Sequence, residues 1–425
     1  MIKALMSLWV SFVMLFVSFV PGYVAPENKN TSGKTYPYIF VHGFLGWGGD
    51  EGIDADFPYW GATSCHLISN LREEGYECYD ASVGPLSSNW DRACELYAQL
   101  TGTRVDYGAA HSAKCNHLRY GRTYDEPLIE NWGELDENGL MNKVNLIGHS
   151  FGGNTVRMLA ALLADGSAEE IAATDPDDIS PLFTGGKSDY INTVVAVCSP
   201  NNGSTMKYVL NNLKLIEPTL ILVYTYVGVM GRSFANGYVD FHLEQFGLSE
   251  VPGEGDANQT IIKSIKTIMQ QEYDNIAYDL SPDGAQAFNE KVDLKDDIYY
   301  FSYPFRTTFN VPLLNTEFPL PSTLAVLQLT AMAEGVYSVN LDTSYKLDKS
   351  WLPNDGLVNV VSASYPFGGA HKDYDPDNIE TRIWNVMPLS RGDHGSAIGI
   401  GTDEESVMEF YNGMLTMIES LPVTS

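Results

Sequence analysis

Residues 144–153 read V-N-L-I-G-H-S-F-G-G, and no other stretch constrains the fold of this chain so tightly. Val144 to Ile147 is a short apolar run of the kind that makes a buried strand. Gly148-His149-Ser150-Phe151-Gly152 follows at once, and Asn154 to Leu163 then carries apolar residues at helical spacing. G-x-S-x-G alone is a weak pattern in a chain with 38 glycines. Flanked by a strand and a helix, it becomes the signature of a nucleophile elbow. A side chain at either glycine would collide with the strand or helix beside it. The turn is expected to present the Ser150 hydroxyl at the end of a sheet, beside a helix N-terminus. There the backbone N–H of Phe151 can stabilise an oxyanion.

Strand and helix signals alternate around this elbow. Tyr36 to Phe44 reads as a strand running into a loop, followed by a helix over roughly 60–74 and a strand at 76–83. A helix at about 125–138 leads back into the elbow. Tyr190 to Cys198 reads as another buried strand, and the strand signal returns at 297–303 and 381–389. A helix near 322–333 and a closing helix at about 403–420 complete the pattern. This alternation predicts one α/β domain over 36–425, with a central, mostly parallel sheet flanked by helices. Residues 84–124 form an excursion rich in Gly, Ser, Asn, Tyr and His, without a clean period. The region 204–278 also breaks the rhythm. Its apolar run Leu213–Met230 reads either as a core helix or as an amphipathic lid that hides its apolar face in water and lays it on lipid. A polar turn at Pro252–Asp256 and a second helix near 257–272 follow.

Charge excludes some functions. With 25 Lys+Arg against 54 Asp+Glu the net charge is −29, which disfavours nucleic acid and any anchoring to anionic membrane through a basic patch. Met1-Ile2-Lys3, the apolar run Ala4–Val20 and Pro21-Gly22-Tyr23-Val24-Ala25 read as a signal peptide over 1–25, cleaved near Gly22 or Ala25. The apolar run, at about 17 residues, is at the lower edge of membrane-spanning length, so an uncleaved anchor is the alternative and no stable transmembrane anchor is expected. A secreted, extracellular protein follows. Residues 26–35 form a polar linker in which Asn30 opens N-T-S, a glycosylation acceptor in a eukaryotic host. Five spread cysteines (Cys65, Cys78, Cys94, Cys115, Cys198) leave room for one or two bridges whose pairing cannot be read from sequence. Oligomeric state is equally illegible.

A serine hydroxyl is a poor nucleophile at neutral pH and needs an imidazole base held by a carboxylate. On this fold the chain order is Ser, acid, His. Two histidines among those after Ser150 carry the choice: His242, inside the lid-like insertion and read as structural, and His394 in R-G-D-H-G-S. His394 follows the last strand and precedes the last helix, where the base of an α/β-hydrolase is expected. Asp355, in the turn-forming N-D-G after Trp351, is the chosen acid, expected at the end of a late strand. Asp393 is the alternative, but it adjoins His394, and such neighbours usually point apart. His42-Gly43-Phe44, after the first strand, would supply the second oxyanion donor from the Phe44 N–H.

These residues carry a resemblance. The run Y-P-Y-I-F-V-H-G-F-L-G-W-G-G-D-E from Tyr36, Tyr59-Trp60-Gly61, Val83–Glu95, Val105–His111, Tyr120–Tyr124, G-H-S-F-G-G, Trp351…Asn354-Asp355-Gly356 and Gly392-Asp393-His394 are similar to those of bacterial true lipases of the thermoalkalophilic and staphylococcal type. The resemblance spans 36–425 and is weakest in the lid and in 304–350. It implies an α/β-hydrolase fold, triacylglycerol hydrolysis at a lipid–water interface under a helical lid, and a triad on Ser150, Asp355 and His394. It also implies a structural zinc in the 84–124 excursion. Matched motif by motif, its ligands fall on Asp91, His111, His117 and Asp274, a donor set suited to closed tetrahedral Zn²⁺. From spacing alone, those histidines read as satisfied loop residues. The resemblance further implies a calcium site shortly after the catalytic histidine. The matching positions here are Ser396 and Gly401, not carboxylates, and Asp403 is out of register, so this chain is expected to lack that Ca²⁺ or hold it weakly. A phospholipase A1 or a broad carboxylesterase is the rival within enzymes. From another class, the rival is a non-catalytic lipid-binding protein on a hydrolase fold; a complete triad argues against it.

Overall fold

The structure, a computed structural model, describes residues 36–214, 240–246, 272–311 and 313–422. The leader and linker readings, Asn30, the Leu213–Met230 run beyond Lys214 and the helix read near 257–272 (to residue 271) lie outside them.

Thirteen strands are described: β1 (Tyr38–Val41), β2 (Cys78–Ala81), β3 (Arg104–Asp106), β4 (Tyr120–Thr123), β5 (Val144–His149), β6 (Ile191–Val197), β7 (Tyr299–Tyr303), β8 (Phe305–Arg306), β9 (Thr308–Val311), β10 (Thr316–Pro319), β11 (His371–Asp373), β12 (Trp384–Val386) and β13 (Ser390–Arg391). Seven form the central sheet in the order β11-β12-β7-β6-β5-β1-β2. Every described pairing within it is parallel. The apolar runs explain why. Parallel strands carry cover on both faces, and alternate residues of β1 enter different cores. Ile39 and Val41 pack with Val144, Leu146, Val156 and Leu159, whereas Tyr38 and Phe40 pack with Ile147, Val195, Tyr411 and Leu415. The chain steps outward from β1 to β2, then reverses through β5 to β6. The crevice beyond the carboxyl ends of β1 and β5 is therefore the switch point where α/β sheets bind ligands. His42-Gly43-Phe44 leaves one strand there and Ser150 the other.

Several element expectations need correction. The excursion at 84–124 contains a 13-residue helix, Asn89–Thr101, capped by Ser88 and stopped by left-handed Gly102. Ala93, Cys94, Leu96, Ala98 and Leu100 pack into the core, but Asn89, Asp91, Arg92, Glu95 and Gln99 are buried beside them, and these polar groups obscure the apolar period. A shorter helix, Ala109–Cys115, and the β3–β4 hairpin complete it. No helix forms at 125–138: Asn131 and Gly133 adopt left-handed φ of 59° and 76°, and Asp136 closes a turn on Asn138 and Leu140. The helix expected from residue 60 begins only at Leu67, because Gly61 (φ 98°) and Ala62 (φ 39°) break it. The loop before the late helix folds into the β9–β10 hairpin, and the helix itself runs Gln328–Tyr337. All five cysteines are free thiols. Among the described residues no helix is long and apolar enough to cross a membrane.

Candidate active site and metal cluster

The elbow is as tight as its glycines require. A Cβ on Gly148 would lie 2.3 Å from the backbone of Gly152 and Gly153, and one on Gly152 would lie 2.0 Å from the Val41 carbonyl oxygen. Ser150 itself takes φ 55°, ψ −129°, a conformation an L-residue adopts at a cost and holds only where its surroundings enforce it. Its N–H is fixed by Val197 O at 2.8 Å, and the helix Phe151–Asp165 starts directly after it. Gly43 presses against this turn. A Cβ there would sit 2.7 Å from Ser150 Cβ and 3.2 Å from its Oγ. Phe44, the next residue, is 37% exposed.

Asp355 and His394 meet. His394 Nδ1 lies 2.8 Å from Asp355 Oδ2, and the His394 N–H donates to the Asp355 carbonyl at 2.8 Å. Asp355 is fully buried, and its Oδ1 accepts the N–H groups of Leu357 and Val358. The acid sits in a turn between Lys349–Trp351 and the helix Val360–Ser364, not at a strand end as expected. Asn354 shapes that turn by accepting the Gly356 N–H at 2.9 Å. The alternative acid, Asp393, is used otherwise: its carboxylate accepts from Leu324, Gly395 and Ser396. At the position compared with a calcium ligand, Ser396 Oγ donates back to the Asp393 carbonyl, and Asp403 caps the last helix through Ser406.

Sequence reasoning missed what braces the loop after β1. Arg92 is buried beneath it and donates to the carbonyls of His42 and Gly84 and to Thr155 Oγ1. Its guanidinium lies 5.3 Å from the Phe151 ring centroid, so one side chain ties the loop to the elbow helix. Burial lowers its pKa to about 10, which leaves it charged at neutral pH. The N-W-D-R-A-C-E motif contained this arginine without disclosing its role. Glu95, one turn on, is pushed up to about 8 by burial. His242, 3.7 Å away, is pushed down to about 3 by burial. Both shifts favour the neutral forms of the two groups. His242 is buried at φ 48° and does not join Asp355, in keeping with a structural residue.

The four residues matched to zinc ligands converge. His111 Nε2 lies 3.2 Å from Asp91 Oδ1 and 3.4 Å from Asp274 Oδ1. His117 Nε2 lies 3.8 Å from Asp91 Oδ1 and 3.5 Å from Asp274 Oδ2. Asp91 Oδ1 and both Nε2 atoms are buried without a hydrogen bond, although buried polar atoms ordinarily have one. His117 Nδ1 faces the Leu118 carbonyl at 2.8 Å and must carry the hydrogen, so in the neutral ring Nε2 turns its lone pair inward. His111 stacks on Trp90, and Gln245 donates to Asp91 Oδ2. This is a possible metal-binding group. Cys115, which is not among the four matched ligands, brings its thiol 3.9 Å from His111 Nδ1 and shares the cluster with His111, His117 and Asp274. A second close group, His149, Cys198 and His394, is less suited to a cation, because His149 uses both ring nitrogens and His394 Nδ1 faces Asp355.

Known proteins share this architecture. The model of the lipase-like C-terminal domain family matches residues 34–419. Lipase 2 of Staphylococcus aureus is 35% identical over 387 residues, covering 89% of this chain and 51% of that protein. The chain thus spans about half the length of the curated relatives it matches. Among solved structures, EstA from Clostridium botulinum aligns with a TM-score of 0.80 at 35% identity, covering 96% of this chain and 94% of the other. The Staphylococcus hyicus lipase aligns with a TM-score of 0.77 at 32% identity, covering 93% and 97%. The resemblance read from the motifs and the α/β-hydrolase fold both hold, and the chain belongs to the lipase-like C-terminal domain family.

Proposed function

We propose that this chain is a secreted triacylglycerol lipase that cleaves the carboxylic esters of glycerides at a lipid–water interface. The observation that carries the reading is the Asp355–His394 pair, 2.8 Å apart, whose imidazole lies 4.8 Å, centroid to centroid, from the ring of His149, the residue before Ser150 in its strained elbow. In this reading His394 Nε2 takes the Ser150 proton as Oγ attacks the ester carbonyl. The N–H groups of Phe44 and Phe151 receive the oxyanion. Gly43, which lets the loop approach Ser150 closely, supports the first assignment, and the helix N-terminus supports the second. His394 then protonates the leaving alkoxide, and a water repeats the cycle on the acyl-enzyme. Asp355 holds the imidazole in the tautomer that leaves Nε2 free to accept.

The donor set of Asp91, His111, His117 and Asp274 fits a zinc ion, because two imidazoles and two carboxylates suit a closed tetrahedral site and three of the facing atoms lack any other partner. Such an ion would cross-link the Asn89–Thr101 helix, the Ala109–Cys115 segment and the strand of chain entering Asn275. Calcium is not assigned, since the compared positions offer Ser396 and Gly401 instead of carboxylates. Named lipases among the relatives support the substrate class, and exported protein recovered from culture medium, with its N-terminus near residue 22 or 25, would test secretion. The functional reading is tested by hydrolysis of emulsified triolein beside a phospholipid and a soluble short ester. Triolein is expected to be cleaved; cleavage of the phospholipid or of the short ester alone selects a rival.

A further inference from the structure

Tyr59 and His149 are outside the three residues assigned to the chemistry, yet they join the two loops that the chemistry needs. His149 is buried between Gly148 and Ser150, and Tyr59 is 7% exposed. His149 Nε2 lies 3.1 Å from the carbonyl oxygen of His394. Its Nδ1 lies 2.7 Å from the Tyr59 hydroxyl, which accepts the Gly43 N–H at 2.9 Å. A carbonyl can only accept, so Nε2 must carry the hydrogen. Nδ1 is then a lone pair, and the Tyr59 hydroxyl must donate to it. Each hydrogen in this chain therefore points one way: Gly43 N–H to Tyr59, Tyr59 O–H to His149, His149 Nε2–H to the His394 carbonyl. Bonds aligned head to tail in a dry interior polarise one another.

We propose that Tyr59 and His149 form a positioning relay that holds the oxyanion loop and the loop of the catalytic base in one register about Ser150. The proposal rests on the Ser–His–Asp reading above. Both ends of the relay are main-chain atoms of the reacting loops. At one end is Gly43, against the Ser150 side chain; at the other is His394, whose ring meets Asp355. Burial also holds the His149 pKa well below the usual imidazole range, which favours the neutral ring that the arrangement needs. The His394 loop keeps further anchors in the Asp355 carbonyl and the Asp393 carboxylate. The Tyr59 ring packs against Trp47 and Trp60 with centroids 5.6 and 5.4 Å away. Removing the hydroxyl should thus loosen the register without dismantling either loop, and misplacement by about 1 Å can cost on the order of 10²-fold in rate.

The test uses the full chain and a soluble ester, comparing wild type, Tyr59→Phe, His149→Leu, His149→Gln and the Tyr59→Phe/His149→Leu double variant. Measured are kcat, KM, melting temperature and the rate of inactivation by a nitrophenyl alkylphosphonate, whose adduct mimics the tetrahedral oxyanion. Tyr59→Phe is expected to lower kcat and phosphonate inactivation together by about 10- to 100-fold with KM nearly unchanged. The double variant should be no worse than the poorer single one, since both break the same chain. His149→Gln should recover activity relative to His149→Leu, because an amide can donate to His394 and accept from Tyr59. A Tyr59→Phe enzyme with wild-type kcat, or losses that multiply in the double variant, would overturn the relay. If Tyr59→Phe fails to fold, equal activity of His149→Gln and His149→Leu overturns it instead. Ester hydrolysis that survives Ser150→Ala would sink the functional reading itself, a distinct result.

Discussion

At the scale of single residues, the site is defined by close approaches that leave no slack. Asp355 offers one carboxylate oxygen to two backbone N–H groups and the other to His394. Asp355→Asn would keep the volume and the turn but favour the wrong imidazole tautomer. Its kcat is expected to fall on the order of 10⁴-fold, with KM little changed, in steady-state assays on a soluble ester. A KM effect alone would contradict that role. Gly43 gives a separate handle on the oxyanion. Gly43→Ala would place a methyl group 2.7 Å from Ser150 Cβ and push the loop away. Removing one oxyanion donor costs about 10²- to 10³-fold in kcat, and a fall in that range is expected here.

At the scale of elements, the Asn89–Thr101 helix is the brace. Arg92 satisfies the carbonyls of His42 and Gly84, and losing one partner of a buried charged hydrogen bond strands the rest. Arg92→Met should lower stability by about 3 kcal/mol in denaturant melts and reduce activity as the His42 loop relaxes. The Gln328–Tyr337 helix carries a different liability. Glu334 is completely buried, bonded to Ser204 and Thr205, and raised to about 8 by burial and then by the nearby Asp355 charge. Its folded pKa exceeds its unfolded value, so the chain binds more protons folded than unfolded over that interval. The contribution is fully present below the unfolded carboxylate pKa and is lost as pH rises through about 8. Glu334→Gln should flatten the fall in melting temperature between pH 5 and 9, with the remainder due to groups such as Glu95, raised in the same way.

These elements also mark what the sequence could disclose. The elbow, β1, β5, β6 and the last helix were legible because apolar runs and glycine punctuation act locally, and the chosen Asp355 and His394 do meet. The Asn89–Thr101 helix was not, because Asn89, Asp91, Arg92, Glu95 and Gln99 share its buried residues with Ala93, Cys94, Leu96, Ala98 and Leu100 and blur the apolar period. Tyr59, His149 and Arg92 lie in motifs that carry the resemblance, but their roles were not legible, because each acts largely through main-chain groups that no residue pattern reveals. The four candidate metal ligands came from motif resemblance, and only their convergence in space gives them a physical argument.

At the scale of the whole molecule, the candidate metal-binding group and the loop over Ser150 are joined through one helix. Asp91 faces the cluster while Arg92, its neighbour, holds the loop over Ser150. A zinc bound only by the folded state adds its binding free energy to stability, about 4 kcal/mol when the ion is present at a thousand times its Kd. Stripping it with a strong chelator should lower the melting temperature by about 10 °C, restored by Zn²⁺, and elemental analysis should find one zinc per chain before treatment. His111→Ala should show the lowered temperature from the start and no response to chelator. The central claim concerns Ser150, and one comparison tests it most directly: release of fatty acid from emulsified triolein by wild type and by Ser150→Ala at equal folded protein. The wild type is predicted to hydrolyse triolein and the variant to lose at least about 10⁴-fold of that rate. Equal hydrolysis by the two proteins would contradict the account.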